Sequence, residues 1–416
     1  MTAIVPATAR QRAIDLARLE RYVGVERPLT APEYVFSSIG ITGQALAPAF
    51  VVFVLEGEGP DFDQDFWRGA LERVSAVNPG CRLRLVDRLG RARWAKDGKP
   101  PRLRFVERTD WDGMSGAGSE FIYDAVISLE NGPCTEIILV NESPRGRLVI
   151  LRTSHAVMDG RGALHFMAEI FRALRGEALL GSNAGLAGVD IKRTLTCSRP
   201  DEPKIETDWL TGPPQGSDRG FEWRRIGFRA NGRNLLARLA EALARYMHGH
   251  SALPALFTIP VDLRRHLPGL LATTNCTGQL RVALDKGEDA ADFRRKLDTM
   301  LQARMEAYPR RGAWIVGLLP RRLIDRLTMR AVLRTKRPFQ TAVISTLGRI
   351  DPDEYSFDGF RLRSCIPVPF PGVTLVAVVS VRDRLDLVVT MPKMFSSNGR
   401  LDDLLDHLQA SLSDRD

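Results

Sequence analysis

The 416-residue sequence predicts a mixed α/β (α+β) protein built as two lobes, and three observations carry that expectation. Strand-like apolar runs alternate with helix-period segments in both halves of the chain. Residues 181–222, with "GSNAGLAG", "SRPDEPK" and "TGPPQGSDRG", are rich in Gly, Pro and Ser and almost without periodicity, as a crossover would be. With 44% hydrophobic residues, a chain of this length has material for two buried cores. The expected division is an N-terminal lobe over 1–180, a crossover over 181–222 and a C-terminal lobe over 223–416. Each lobe is expected to be a mixed sheet flanked by helices, with a cleft or tunnel between them.

Element by element, residues 9–23, "ARQRAIDLARLERYV", have amphipathic helical spacing, and "AFVVFVLEGEG" reads as a buried strand ending in a glycine turn. "DFDQDFWRGALERVSAVNPG" predicts a helix with an Asp cap, Phe66, Leu71 and Val74 on its apolar side and an Asn-Pro-Gly stop. Strands are expected at "CRLRLVD", "PRLRFVE", "TEIILVN" and "GRLVILRTS". Gly160 to Arg175 follows as a helix with Leu164, Met167 and Phe171 on one face. In the second half, helices are expected at "NLLARLAEALARYMHGH", "DFRRKLDTMLQARMEAY" and "LDDLLDHLQASL". The strands there are "ALFTIPVDL", "TAVISTLG" and "TLVAVVSVRDRLDLVVTM".

Composition excludes several classes. The N-terminus lacks a basic region followed by an apolar one, and the longest apolar run, "APAFVVFVL", is far too short for a bilayer span, so a soluble cytoplasmic protein is expected. Cys81, Cys134, Cys197, Cys276 and Cys365 form no CxxC or CxxxC pair, which suggests reduced, buried thiols rather than a zinc site or a disulfide framework.

The net charge of +9 is concentrated: between Arg310 and Arg337 nine basic residues face one acid, Asp325. Within that segment Arg322, Arg326, Arg330 and Arg334 recur at i+4, and Leu323, Leu327 and Ala331 run alongside. A helix there would carry an arginine ridge beside an apolar one. It reads either as a solvated helix packed by its apolar face or as an anion dock. The dock could take an acidic carrier protein, the phosphates of CoA or, less favoured, an anionic membrane surface. Nucleic acid is not expected, since aromatic interleaving and a reading motif are both missing.

The chemistry-bearing stretch is "LRTSHAVMDGRGALHF", residues 151–166. His155 falls on a rim loop between a strand and a helix, where an imidazole of near-neutral pKa suits proton transfer. Asp159 and Gly160 stand at the helix start, where an acid favours the dipole and a glycine permits close backbone approach. Read without context, the same residues are an ordinary helix cap and a loop histidine. Two candidate ligands make no metal site, and without a GxSxG elbow Ser154 beside His155 is no serine-hydrolase pair. His165, inside the helix, reads as a packing residue.

The HxxxDG pattern resembles the HHxxxDG signature of the chloramphenicol-acetyltransferase-like superfamily, and in particular stand-alone condensation-domain-type acyltransferases. The resemblance extends to "FVVFVLEGEGPDFDQDFWRGALERVSAVNPGCRLRL", "IPVDLRRHLPG", "NCTGQLRVAL" and "VISTLGRI". Ser154 stands where the signature has its first histidine, and the DFGWG motif of the plant-type branch is absent. The resemblance implies amide or ester formation from an acyl thioester and an amine or alcohol acceptor, in specialised-metabolite (nonribosomal peptide or polyketide) or lipid biosynthesis, with His155 as the base. It implies a structural Asp159 paired with an arginine, for which Arg82 and Arg264 are the candidates. Gly160 would leave room near the oxyanion, and Ser345 would be a donor to it. It implies no metal and no resident cofactor, because the phosphopantetheine arm of a carrier protein acting in trans, or CoA, belongs to the donor. A noncatalytic condensation-like domain that recruits a partner is the alternative.

Overall fold

The computed structural model describes residues 27–41, 48–87, 92–183, 185–198, 205–216, 218, 220–229, 234–308, 313–334, 337–368 and 373–413. The helix expected over 9–23 lies outside them. The first half runs β1 (Arg27–Pro28), α1 (Ala31–Ser38), β2 (Phe50–Glu58), α2 (Gln64–Val77), β3 (Arg84–Val86), β4 (Arg93–Ala95), β5 (Arg102–Arg108), β6 (Thr135–Glu142), β7 (Arg147–Ser154) and α3 (Gly160–Leu174). One short helix, α4 (Gly188–Arg193), lies in the expected crossover. The second half runs β8 (Phe221–Arg229), α5 (Leu235–His248), β9 (Ala255–Asp262), β10 (Thr277–Leu284), α6 (Ala290–Gln302), α7 (Arg321–Arg334) and β11 (Ala342–Ile350). It closes with β12 (Arg361–Val368), β13 (Leu375–Val381), β14 (Arg384–Pro392), α8 (Lys393–Ser396) and α9 (Arg400–Leu412).

These strands form a five-stranded sheet, order β12-β2-β7-β6-β5, and a six-stranded sheet, order β10-β9-β11-β13-β14-β8, beside a small three-stranded one. The five-stranded sheet packs α2 and α3 on one face through Trp67, Leu71, Val74, Leu164, Met167 and Phe171. The six-stranded sheet carries the core of α5, α6 and α9 on one face. Their remaining faces meet: Val52, Val54, Ile138 and Ile150 share a cluster with Val388 of β14. Burial on both faces explains why β2 reads "FVVFVL" without alternation.

One strand crosses between the halves: β12, from deep in the C-terminal half, pairs antiparallel with β2, Ile366 opposite Val54. It covers a hydrophobic edge that would otherwise present unpaired backbone groups. In α2, Leu71 and Val74 are buried as expected, but Phe66 is exposed and Trp67 is the buried aromatic. The Asp63 cap is as expected, accepting the N–H groups of Asp65 and Phe66.

Where the two sheets meet, Arg225 of β8 is buried between two carboxylates. It donates to Glu56 of β2 at 2.6 and 3.2 Å and to Asp386 of β14 at 2.9 Å. Its Nη2 also reaches Ser364 of β12, whose hydroxyl donates to Asp386 at 2.7 Å. Arg145 completes the group with two 3.0 Å bonds to Glu56. Removing a single buried partner leaves the others uncompensated. Arg225→Met is therefore expected to lower unfolding free energy by about 3–5 kcal/mol, whereas Arg384→Met, at the half-exposed edge of the same group, should cost about 1 kcal/mol or less. Denaturant titration of both variants checks the contrast.

Candidate active site

The β7–α3 loop holds four of the residues singled out in the sequence, and the second lobe grips it from across the cleft. Asp159 is the N-cap of α3, its Oδ1 accepting the N–H of Gly162 at 2.8 Å. Arg264, in the turn after β9, donates Nη2 to Oδ1 at 3.0 Å and Nη1 to Oδ2 at 3.1 Å. The N–H of Cys276 and the hydroxyl of Thr277 donate to Oδ2 at 2.8 and 2.9 Å. Burial pushes this carboxyl up, but the Arg264 charge and the donated hydrogen bonds outweigh it and hold Asp159 below the usual carboxylate range. A carboxylate this engaged is a brace and has no free lone pair for a substrate proton. Of the two candidate arginines it is Arg264 that pairs. Arg82 sits in the turn after α2, where its carbonyl accepts the N–H of Gly98, and it does not reach Asp159.

His155 is held at both main-chain ends. Its N–H donates to Ala49 O at 2.7 Å, and Asn275 Nδ2 donates to the carbonyls of His155 and Ala156 at 2.7 and 3.1 Å. The imidazole stacks on Phe36 of α1, centroids 4.0 Å apart and planes 9° from parallel. Its Nδ1 is buried without a geometrically sound hydrogen bond among the described residues. Burial lowers the imidazole pKa below its ordinary value, against smaller upward pulls from its own main chain, Asp159 and Asn275. The ring is therefore neutral at neutral pH.

Ser154 answers for the missing first histidine locally. Buried at the end of β7, it accepts the N–H of Ala156 on its hydroxyl at 3.3 Å, and its carbonyl accepts those of Val157 and Met158 at 2.9 and 3.2 Å. The serine thus closes the turn that presents His155. Gly160 and Gly162 exchange importance relative to the sequence reading. A Cβ on Gly160 would meet the end of Leu347 at 3.1 Å, whereas one on Gly162 would lie 2.0 Å from the carbonyl oxygen of Thr273. It is Gly162 that lets the two lobes touch backbone to side.

Ser345 lies half-buried on β11, paired with Ala377, on the face that packs toward the first lobe through Val379 and Val381. It has no hydrogen bond to His155. The arginine ridge is apart from the HxxxDG loop: Arg322, Arg326 and Arg330 are exposed on α7, and the side chain of Arg334 lies outside the described residues. The buried arginine is the one before the ridge. Arg321 donates to Asp87 at 3.2 Å, and also to Glu130 and to the carbonyl of Ser37.

α7 connects to His155 through α1. Besides Arg321, Asp325 accepts the N–H of Gly40 at 2.9 Å, and Tyr34 donates to Leu319 O at 2.7 Å. Beside α1 opens a cavity of about 760 Å³ whose wall includes Phe36, Ala49 and Ser154, three of the neighbours of His155. Its other walls are mainly apolar, with Ile39, Phe50 and Leu129 among them. Phe36 carried no signal in the sequence, Asn275 was marked only as the first residue of the resembling stretch "NCTGQLRVAL", and Arg321 only as one of the basic residues of the 310–337 segment.

No protein-family model matches the chain, and no curated protein matches it in sequence. Solved structures do. The first condensation domain of the calcium-dependent antibiotic synthetase, in complex with a substrate analogue, superposes with TM-score 0.65 at 17% identity, covering 94% of this chain and 96% of that one. The condensation domain of the monacolin K polyketide synthase MokA gives 0.63 at 12% identity over 94% and 97%. Polyketide synthase associated protein 5 from Mycobacterium tuberculosis gives 0.61 at 14% over 94% and 98%. The chain has the condensation-domain fold. Within that fold, the HxxxDG loop lies where the two lobes meet, gripped by Arg264 and Asn275.

Two substitutions test the grip. Gly162→Ala should lower unfolding free energy by about 2 kcal/mol or more, because backbone must move, while Gly160→Ala should cost under about 1 kcal/mol. Asp159→Asn, which strands Arg264, should cost about 3 kcal/mol. Thermal and denaturant unfolding of the three variants read these costs, and equal losses at Gly160 and Gly162 would contradict the assignment.

Proposed function

We propose that the chain is an acyltransferase of the condensation type, joining an acyl thioester to an amine or alcohol acceptor. The supporting observation is the setting of His155: an imidazole stacked on Phe36, which lines a cavity, in a loop whose carboxylate is fully committed to holding the lobes together. With Nδ1 buried, proton exchange falls to Nε2. As the acceptor nitrogen or oxygen bonds to the thioester carbonyl carbon, Nε2 takes its proton. When the tetrahedral intermediate collapses, the C–S bond breaks and the same nitrogen returns the proton to the leaving thiolate, so the histidine ends as it began. Ser345, on the inward-facing side of β11, is the proposed donor to the oxyanion, and Gly160 keeps the helix start free of a side chain there.

The donor thiol is the phosphopantetheine of an acyl or peptidyl carrier protein in trans, or CoA. Holding both substrates beside one base supplies much of the rate by orientation, which is why a single histidine suffices.

Thiol release is measured from acyl-CoAs and acyl-carrier proteins, each offered with pooled amines and alcohols. His155→Ala should reduce turnover by about 10²–10⁴-fold with its melting temperature unchanged. Activity indifferent to His155 would refute the mechanism, and carrier binding without any turnover would favour a recruitment domain.

A further inference from the structure

The sequence allowed α7 to pack by its leucine ridge, and the structure turns it otherwise. Arg321, Ile324 and Asp325 are buried, and Met329 packs beside Ile39 and Ala49. Leu323 and Leu327 are left 39% and 44% exposed between Arg322, Arg326 and Arg330. The apolar strip continues backwards into Leu318 and Ile315, exposed by 50% and 49%. The one acid of the helix, Asp325, faces inward onto Gly40, so the outer face is cationic and aliphatic without a counter-charge of its own.

This face adjoins the cavity beside His155. Pro320, Arg321 and Arg322 form part of the cavity's lining, and so do Ile41 and Val126, which are 39% and 76% exposed. Arginines interleaved with aliphatic side chains on one helix face are the pattern of an element that lies in a lipid headgroup layer, guanidiniums on phosphates and leucines below them. Three arginines spread along about 12 Å of helix match a plane of headgroups better than a single bound phosphate group. An acidic protein partner would use the arginines but would give no reason for the exposed aliphatic side chains set among them.

We infer that the outer face of α7, with Leu318 and Ile315, seats on an anionic lipid surface, and that the cavity beside His155 takes a lipophilic acceptor from that surface. The seating stands on the geometry of α7 alone; the loading of an acceptor rests on the acyl-transfer reading. The bonds from Arg321, Asp325 and Leu319 to α1 keep the seated face in register with Phe36 and the cavity wall.

Flotation with phosphatidylcholine vesicles, with and without phosphatidylserine, tests the seating in three variants of the full chain. Wild-type protein should float with the anionic vesicles, weakly with the neutral ones, and less as salt rises. Arg326→Glu with Arg330→Glu should lower the partition coefficient by about thirtyfold or more, and Leu323→Gln with Leu327→Gln should lower it by about tenfold. His155→Ala should float as wild type does, which separates the seating from the fate of the acyl-transfer reading. Absence of flotation, or flotation equal on both lipids, would overturn the inference. So would dependence on the arginines with indifference to the leucines, or capture of an acidic carrier protein by the same arginines without vesicle binding.

Discussion

Two lobes meet around one carboxylate. Asp159 caps α3 in the first lobe and receives Arg264, the Cys276 N–H and the Thr277 hydroxyl from the second. That arrangement fixes the start of the helix, the span of the loop before it and the distance between lobes at one point. His155 is four residues away on the same loop, and its main chain is tied by Ala49 on one side and Asn275 on the other. The histidine is therefore placed by bonds to its main chain from Ala49 and Asn275. A second buried ion group, Arg225 with Glu56 and Asp386, joins the same two sheets where β2, β12, β8 and β14 come together. Between the two, β12 threads from one lobe into the sheet of the other, so the lobes are joined by strand pairing as well as by charge.

The loop was legible because its chemistry is local. A strand, a turn of four residues, an acid cap and two glycines announce themselves by spacing, and Leu164, Met167 and Phe171 marked the buried side of α3 by period. Choosing Arg264 over Arg82 was beyond the sequence, since only the packing of the turn after β9 against the α3 N-terminus decides between them. β12 was missed for a related reason. "RLRSCIPV" looks like an edge strand of any sheet, and its partner lies some three hundred residues earlier in the chain, a non-local pairing that no local pattern specifies. In α2, "FWR" offers two aromatics in succession, and the one buried is Trp67, which shares the face of Leu71 and Val74.

The basic segment shows how a charge count can mislead and inform together. Its excess of arginine was plain, yet the residue that serves the fold, Arg321, lies just before the periodic ridge. It is buried among Asp87, Glu130 and the end of α1. The ridge itself stays outside. One helix thus has two faces of different character: the buried one packs onto α1, and with it Phe36, while the outer one stays exposed beside the cavity.

The central claim is that burial against Phe36, which lines the cavity, holds the pKa of the His155 imidazole below its ordinary value. Titration of the His155 ring by ¹⁵N nuclear magnetic resonance, in wild type and in Phe36→Ala, tests it without any substrate. The account predicts a wild-type pKa below the ordinary value of about 6.5, rising toward it when the phenylalanine is removed and water reaches the ring. A wild-type value at or above the ordinary one, or a low value that does not respond to Phe36→Ala, would contradict it.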